Sequence, residues 1–190
     1  MYINTKEILK MLCNSHTKLC EKENFKGNYY NYITDTIYIA KDENARKLPK
    51  NMEGLNQDAG RLVMLCHECV HSVQSKMMHI QNIVFSNLSL ILGVAILLFK
   101  IFGKCSLIVN LIEMSMLFYV CIIRSMLELE AIYKSFEVAK KCIKEKIATN
   151  VTVDDVDKSW KIAKKMLPLQ MLQMLADKLV LIILIIIISI

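Results

Sequence analysis

The sequence is poor in residues that break or stiffen a chain: only two Pro and five Gly occur among 190 positions. That excludes collagen-like and Pro/Gly-linker architectures. Charge is also scarce, at 22% Asp, Glu, Lys and Arg. A disordered chain needs the opposite balance of many charges and few apolar groups, so disorder is excluded too. A cleavable signal pattern is missing from the opening MYINTKEILK, and the seven Cys are odd in number and irregularly spaced. Reduced thiols on a cytoplasmic face are therefore expected, not a disulfide framework. What is abundant is apolar: 54% hydrophobic residues and a mean hydropathy of +0.36, too much for a small soluble domain. A mostly α integral membrane protein, in contact with a lipid bilayer, follows. The net charge of +6 is spread through helices and flanks apolar runs, so no nucleic-acid partner is expected.

Along the chain, Ile8, Leu9, Leu12, Cys13, His16, Leu19 and Cys20 recur at helical spacing, which predicts an amphipathic helix over Thr5–Glu23. NYYNYITDTIYIA, residues 28–40, is rich in Tyr, Ile and Thr around a Thr34-Asp35 turn and predicts a small β-hairpin, the one strand region. Lys41 to Asn56 reads as loop, leading into a helix capped at Asn56 or Asp58. Ile83–Phe99 is an uncharged run of 17 residues, roughly 25 Å as a helix, and Cys105–Ile123 is a second run with one charge. The short segment between them predicts a transmembrane helical hairpin with both flanks on one side. Arg124, Lys134, Lys140, Lys141, Lys144 and Lys146 after the second run, against two Lys in the hairpin loop, place those flanks in the cytoplasm of a bacterial-type membrane. The second span should continue as one long helix to Asn150. A further helix, capped at Thr152 or Asp154, should reach Leu167, with a kink or break at Pro168, and be followed by an apolar tail. The organisation expected is thus residues 1–79 with hairpin and motif helix, 80–123 as membrane hairpin, 124–167 as cytoplasmic helices, and 168–190 as membrane-associated tail.

The chemistry sits in His67-Glu68-Cys69-Val70-His71, an HExxH arrangement inside a segment of helical periodicity. Two His four apart project about 40° from each other on a helix, so both can reach one Zn²⁺. Glu68 sits beside them as a general base. With four His in the chain, the pattern arises by accident in roughly one such chain in 200. A catalytic zinc normally takes three protein ligands. His16 and His79 read as structural, which leaves acids, and depth in the bilayer sorts them. His71 and Glu128 both sit one to two helical turns outside the apolar runs on the same side, whereas Glu113 lies roughly 15 Å into the hydrocarbon. Glu130 faces nearly opposite to Glu128 and has Lys134 four residues on as an ion-pair partner, so Glu128 is the favoured third ligand. Cys66 and Cys69 read as packing residues, and Glu113 with Asn110 as an interhelical polar contact.

HECVHSVQ ahead of a membrane helix and LELEAIYKS after a membrane hairpin resemble the membrane-bound neutral zinc metallopeptidases, HExxH enzymes of the gluzincin type. NYYNYITDTIYIAKD is similar to that family's strand pair before the metal helix. The resemblance implies a zincin-like metal helix packed beside the membrane hairpin, with His67, His71 and Glu128 holding Zn²⁺ and Glu68 as catalytic base. It also implies a peptide or membrane protein as substrate. Gln74 matches the family's glutamine after the second His. Val70 stands where the family has Gly, Ile132 where related enzymes have an Asp that orients a ligand His, and no counterpart of the family's N-terminal anchor is expected.

Three functions fit these residues. The first is an integral-membrane zinc metallopeptidase with its site facing the cytoplasm, in which strand Thr36–Ala40 aligns the peptide by strand addition and Tyr133 is the candidate oxyanion stabiliser. The second is an inactive pseudoprotease, a metal-binding membrane scaffold. The third is a thiol redox module built on Cys66 and Cys69.

Overall fold

The computed structural model describes residues 5–12, 16–22, 27–40, 56–101 and 107–189, save the side chains of Ile101, Asp177, Ile188 and Ser189. The loops expected at 41–55 and the tip of the membrane hairpin at 102–106 lie outside the described residues. The elements are α1 (Thr5–Met11), β1 (Lys18–Lys22), β2 (Tyr29–Asn31), β3 (Thr36–Ala40), α2 (Gln57–Val73), α3 (Lys76–Ile101), α4 (Leu107–Lys144) and α5 (Val153–Ser189). They form two compact units, residues 1–74 with 129–166 and residues 75–128 with 167–190.

The first unit is built around a three-stranded sheet of order β1-β3-β2. β3 is buried along almost its whole length, and its two edges are taken by parallel β1 and antiparallel β2. The helix expected over Thr5–Glu23 therefore stops at Met11, and the hairpin expected over 28–40 becomes part of a mixed sheet. The cause lies in tertiary pairing. Lys18 N–H donates to Asp35 O at 2.9 Å and Thr17 Oγ1 donates to Asp35 Oδ1 at 3.0 Å, tying the segment to the hairpin turn and overriding its helical periodicity. Asp35 itself sits at φ 46°, the left-handed conformation that Asp tolerates in turns. Ile8 and Leu9 of α1, Ile37 and Ile39 of β3, Leu62, Cys66 and Cys69 of α2, Phe136 and Ala139 of α4, and Val156 of α5 form one apolar core.

The share of α4 in this unit ends at Lys144, six residues before the expected stop. Lys146 adopts φ 58°, and Ile147 N–H donates to Cys142 O at 2.9 Å while Lys146 N–H donates to Ile143 O at 3.1 Å. That is a Schellman closure with Lys in the place usually held by Gly. α5 restarts after Thr152, whose Oγ1 accepts from Asp155 N–H at 3.2 Å while Asp155 Oδ2 accepts from Thr152 N–H at 3.0 Å, a reciprocal cap.

In the second unit, α3 and α4 are long and apolar enough to cross a membrane. Leu117, Ile182 and Ile185 pack together at its centre, with Met114 and Leu181 around them. Phe85 and Tyr119 meet edge to face at 5.1 Å. Gly93 brings α3 close to its neighbours: a Cβ there would lie 3.1 Å from Leu181 Cδ2 and 3.3 Å from Glu113 Oε1. Of the kink or break expected at Pro168, the break does not occur. α5 runs through Pro168 and bends by 59° between Ala176 and Lys178 instead. The missing proline N–H removes one ladder bond without ending the helix, which continues on both sides of it.

Candidate metal centre

α2 starts where the sequence places it, at Asn56, whose side-chain oxygen accepts from Asp58 N–H at 3.0 Å. Leu62, Cys66, Cys69 and Val70 recur at intervals of three and four and are buried, which turns His67, Glu68 and His71 to the half-exposed side. Cys66 and Cys69 are fully buried. The Cys66 thiol is pushed up by its hydrogen bond with Cys142 and by burial, and the Cys69 thiol by burial, so neither offers the exposed thiolate that redox chemistry needs. Val70 is accommodated in the packed face at 1% exposure.

The Nε2 atoms of His67 and His71 lie 3.0 Å apart, with the rings at 88°. Glu128 stands on α4 in the same turn as Leu129 and Glu130. One donor atom from each of His67, His71 and Glu128 falls within 4.8 Å of the others, and among the described residues this is the group of three that can hold a metal ion. Donors at the corners of a tetrahedron with zinc bonds of 2.0–2.1 Å are about 3.4 Å apart, so the two imidazole nitrogens, at 3.0 Å, stand close to the separation a shared zinc requires. Two imidazole nitrogens with one carboxylate is also a donor set that zinc accepts. His16 is exposed ahead of β1 and His79 is buried in α3; neither belongs to the group.

Glu68 is held from the sheet. Tyr30 N–H of β2 donates to Glu68 Oε2 at 2.7 Å, and the Tyr30 hydroxyl is anchored on Asp35 Oδ1 at 2.9 Å. Because that N–H points to Glu68, the strand beside the motif is β2, an edge strand, whereas β3, expected to receive a peptide by strand addition, is central and has both edges paired. Tyr133 is not aimed at the group either. It lies five residues beyond Glu128, about 140° around α4, and its ring packs against Trp160 at 5.1 Å.

Around His71 a chain of contacts appears that the motif alone does not reveal. His71 Nδ1 is 2.7 Å from Gln74 Oε1, Gln74 Nε2 donates to Glu130 Oε2 at 3.0 Å, and Lys134 Nζ donates to Glu130 Oε1. The Lys134 ammonium beside Glu130 holds its carboxyl below the usual range, with the Gln74 amide adding to the effect. Glu130 is thus engaged by Lys134, as its spacing predicts, and Ile132 packs against the core. The spacing of Gln74, three residues past His71, was the available signal for this arrangement; the Tyr30 N–H is a backbone group and had none. Compared with protein-family models, curated proteins and solved structures, the chain gives no match.

Proposed function

We propose that the protein is an integral-membrane, zinc-dependent metallopeptidase that hydrolyses peptide bonds near the cytoplasmic membrane surface. The observation that carries this reading is the convergence of His67, His71 and Glu128 within 4.8 Å, with Glu68 adjacent on the same helix. The likeness of HECVHSVQ and LELEAIYKS to the membrane-bound neutral zinc metallopeptidases points the same way, as do the two candidate spans. Zinc, when bound, supplies a Lewis acid that polarises a carbonyl and lets water lose a proton near neutral pH. His67, His71 and Glu128 would hold it.

Glu68 takes the proton from the attacking water at its carboxylate and returns it to the leaving amine nitrogen. The Tyr30 N–H, 2.7 Å from Oε2, keeps that carboxylate aimed.

Elemental analysis of detergent-purified protein should find about one zinc per chain, lost in His67→Ala and Glu128→Ala and kept in Glu68→Gln. Peptide cleavage should fall about 10²–10⁴-fold in Glu68→Gln. Full cleavage in that variant overturns the mechanism, and a wild type without zinc after metal-replete expression overturns the metal reading. Stoichiometric zinc without hydrolysis of any peptide, denatured membrane proteins included, would mark a metal-binding scaffold, the reading that Ile132 at the usual Asp position favours.

A further inference from the structure

We propose that the Lys134–Glu130 ion pair acts through Gln74 to fix the tautomer of His71, so that its Nε2 is presented as a lone-pair donor to the metal. The inference rests on the metal-centre reading and names positioning residues for it. Glu130 as a carboxylate accepts hydrogen bonds and donates none. One of its oxygens takes Lys134 Nζ and the other takes Gln74 Nε2 at 3.0 Å. The amide nitrogen of Gln74 is thereby committed, which leaves its carbonyl oxygen 2.7 Å from His71 Nδ1. A carbonyl oxygen is also only an acceptor, so the proton between them must sit on Nδ1. A neutral imidazole has one N–H, and the lone pair falls on Nε2, the atom 3.0 Å from His67 Nε2.

A metal-ligating His normally donates its second N–H to a carboxylate, a carbonyl or water, and that partner fixes the ring. Here an amide carbonyl takes the part. An amide has a weakness a carboxylate lacks: turned by 180° it offers an N–H where it offered oxygen, and it then supports the opposite tautomer, with a proton where the metal must sit. Glu130 removes that ambiguity by accepting only the amide nitrogen, and Lys134 anchors Glu130. Gln74 is 7% exposed, so water does not easily replace either partner.

The test uses the full chain in detergent, labelled with ¹⁵N-histidine and stripped of metal, with the four His signals assigned by single substitution. His71 should be in the Nδ1–H form in the wild type and in a mixture of tautomers in the isosteric Glu130→Gln variant, where Gln74 is free to turn over. Zinc affinity by chelator competition should fall about 10–100-fold in Glu130→Gln. Combining Gln74→Glu with Glu130→Gln reverses the polarity of the contact and should restore both the Nδ1–H form and the affinity, which no role in packing alone would do. A wild type with Nε2–H overturns the proposal, as does a Glu130→Gln variant with unchanged tautomer and affinity. A wild type that binds no zinc yet shows the tautomer shift overturns the metallopeptidase reading and supports the lock.

Discussion

The two units use one apolar alphabet under different rules. In the first, apolar side chains are hidden behind polar ones, and among the described residues only Ile33, Met64, Val73 and Tyr133 are large, apolar and exposed. In the second, long rows such as Val84, Leu88, Ile91, Val94 and Leu98 are exposed along α3, and the charged groups Glu113 and Lys178 are buried together with Leu117, Ile182 and Ile185. The lesson is about the surroundings. Where water is outside, burial carries the stabilisation; where lipid is outside, an apolar side chain gains little by moving inward, and polar groups are the ones driven to the interior.

The most sensitive way to break this contrast is to delete the same kind of side chain on both sides of it. Leu62→Ala, at a fully buried position in the first unit's core, should cost about 2–5 kcal/mol. Ile183→Ala, at 54% exposure in the second unit, should stay within about 0.5 kcal/mol. Denaturation of the detergent-solubilised protein reads both, and equal losses would mean that Ile183 packs against protein and not lipid.

Charge inverts the ranking. Ile91 is exposed at the centre of the 83–99 run, and Ile91→Lys should oppose membrane insertion by about 2.5–3.5 kcal/mol. Val73→Lys, at the exposed end of α2, should cost less than about 0.5 kcal/mol. A glycosylation-based insertion assay reports the first and thermal unfolding the second; normal insertion of Ile91→Lys would remove α3 from the list of spans.

A smaller effect sharpens the same comparison. Gly93→Ala puts a methyl 3.1 Å from Leu181 Cδ2 and 3.3 Å from Glu113 Oε1, so side chains must give way at a cost of about 1–2 kcal/mol. Gly27→Ala in the first unit meets nothing within 4 Å and should be neutral. Matched unfolding curves for these two variants test whether the second unit owes its packing to close approach of its helices.

How much of this was legible follows from where each signal resides. The Asn56 cap, the long apolar helices and the Glu130–Lys134 pair depend on local spacing, and sequence carries local spacing directly. The grouping of His67 and His71 with Glu128 needed one further step, depth relative to the bilayer, and that too is a count of residues. β1 was hidden because KLCEK has neither β-branched residues nor apolar alternation, and its conformation is set by pairing with the edge of β3 that β2 leaves open. The end of α4 was hidden because Lys146 takes a conformation that ordinarily announces itself as glycine. Gln74 was visible as a residue and not as a contact, since its meaning depends on which end of an amide meets Glu130.

The smallest expected effect concerns the ends of helices. α5 starts in the first unit, where water competes for its first N–H groups, and the reciprocal bonds between Thr152 and Asp155 satisfy two of them. Thr152→Ala should therefore destabilise by about 1 kcal/mol. Its hydrogen bonds from Thr152 hold the Asp155 carboxyl below the ordinary range. A depressed folded value means the carboxylate's share of the cap is complete above the unfolded value, about pH 4, and disappears as pH falls through the folded one. The difference in melting temperature between wild type and Thr152→Ala should accordingly be largest at neutral pH and shrink in acid. A difference that is flat with pH would assign the cap to the hydroxyl alone and leave Asp155 as a bystander on a solvated helix turn.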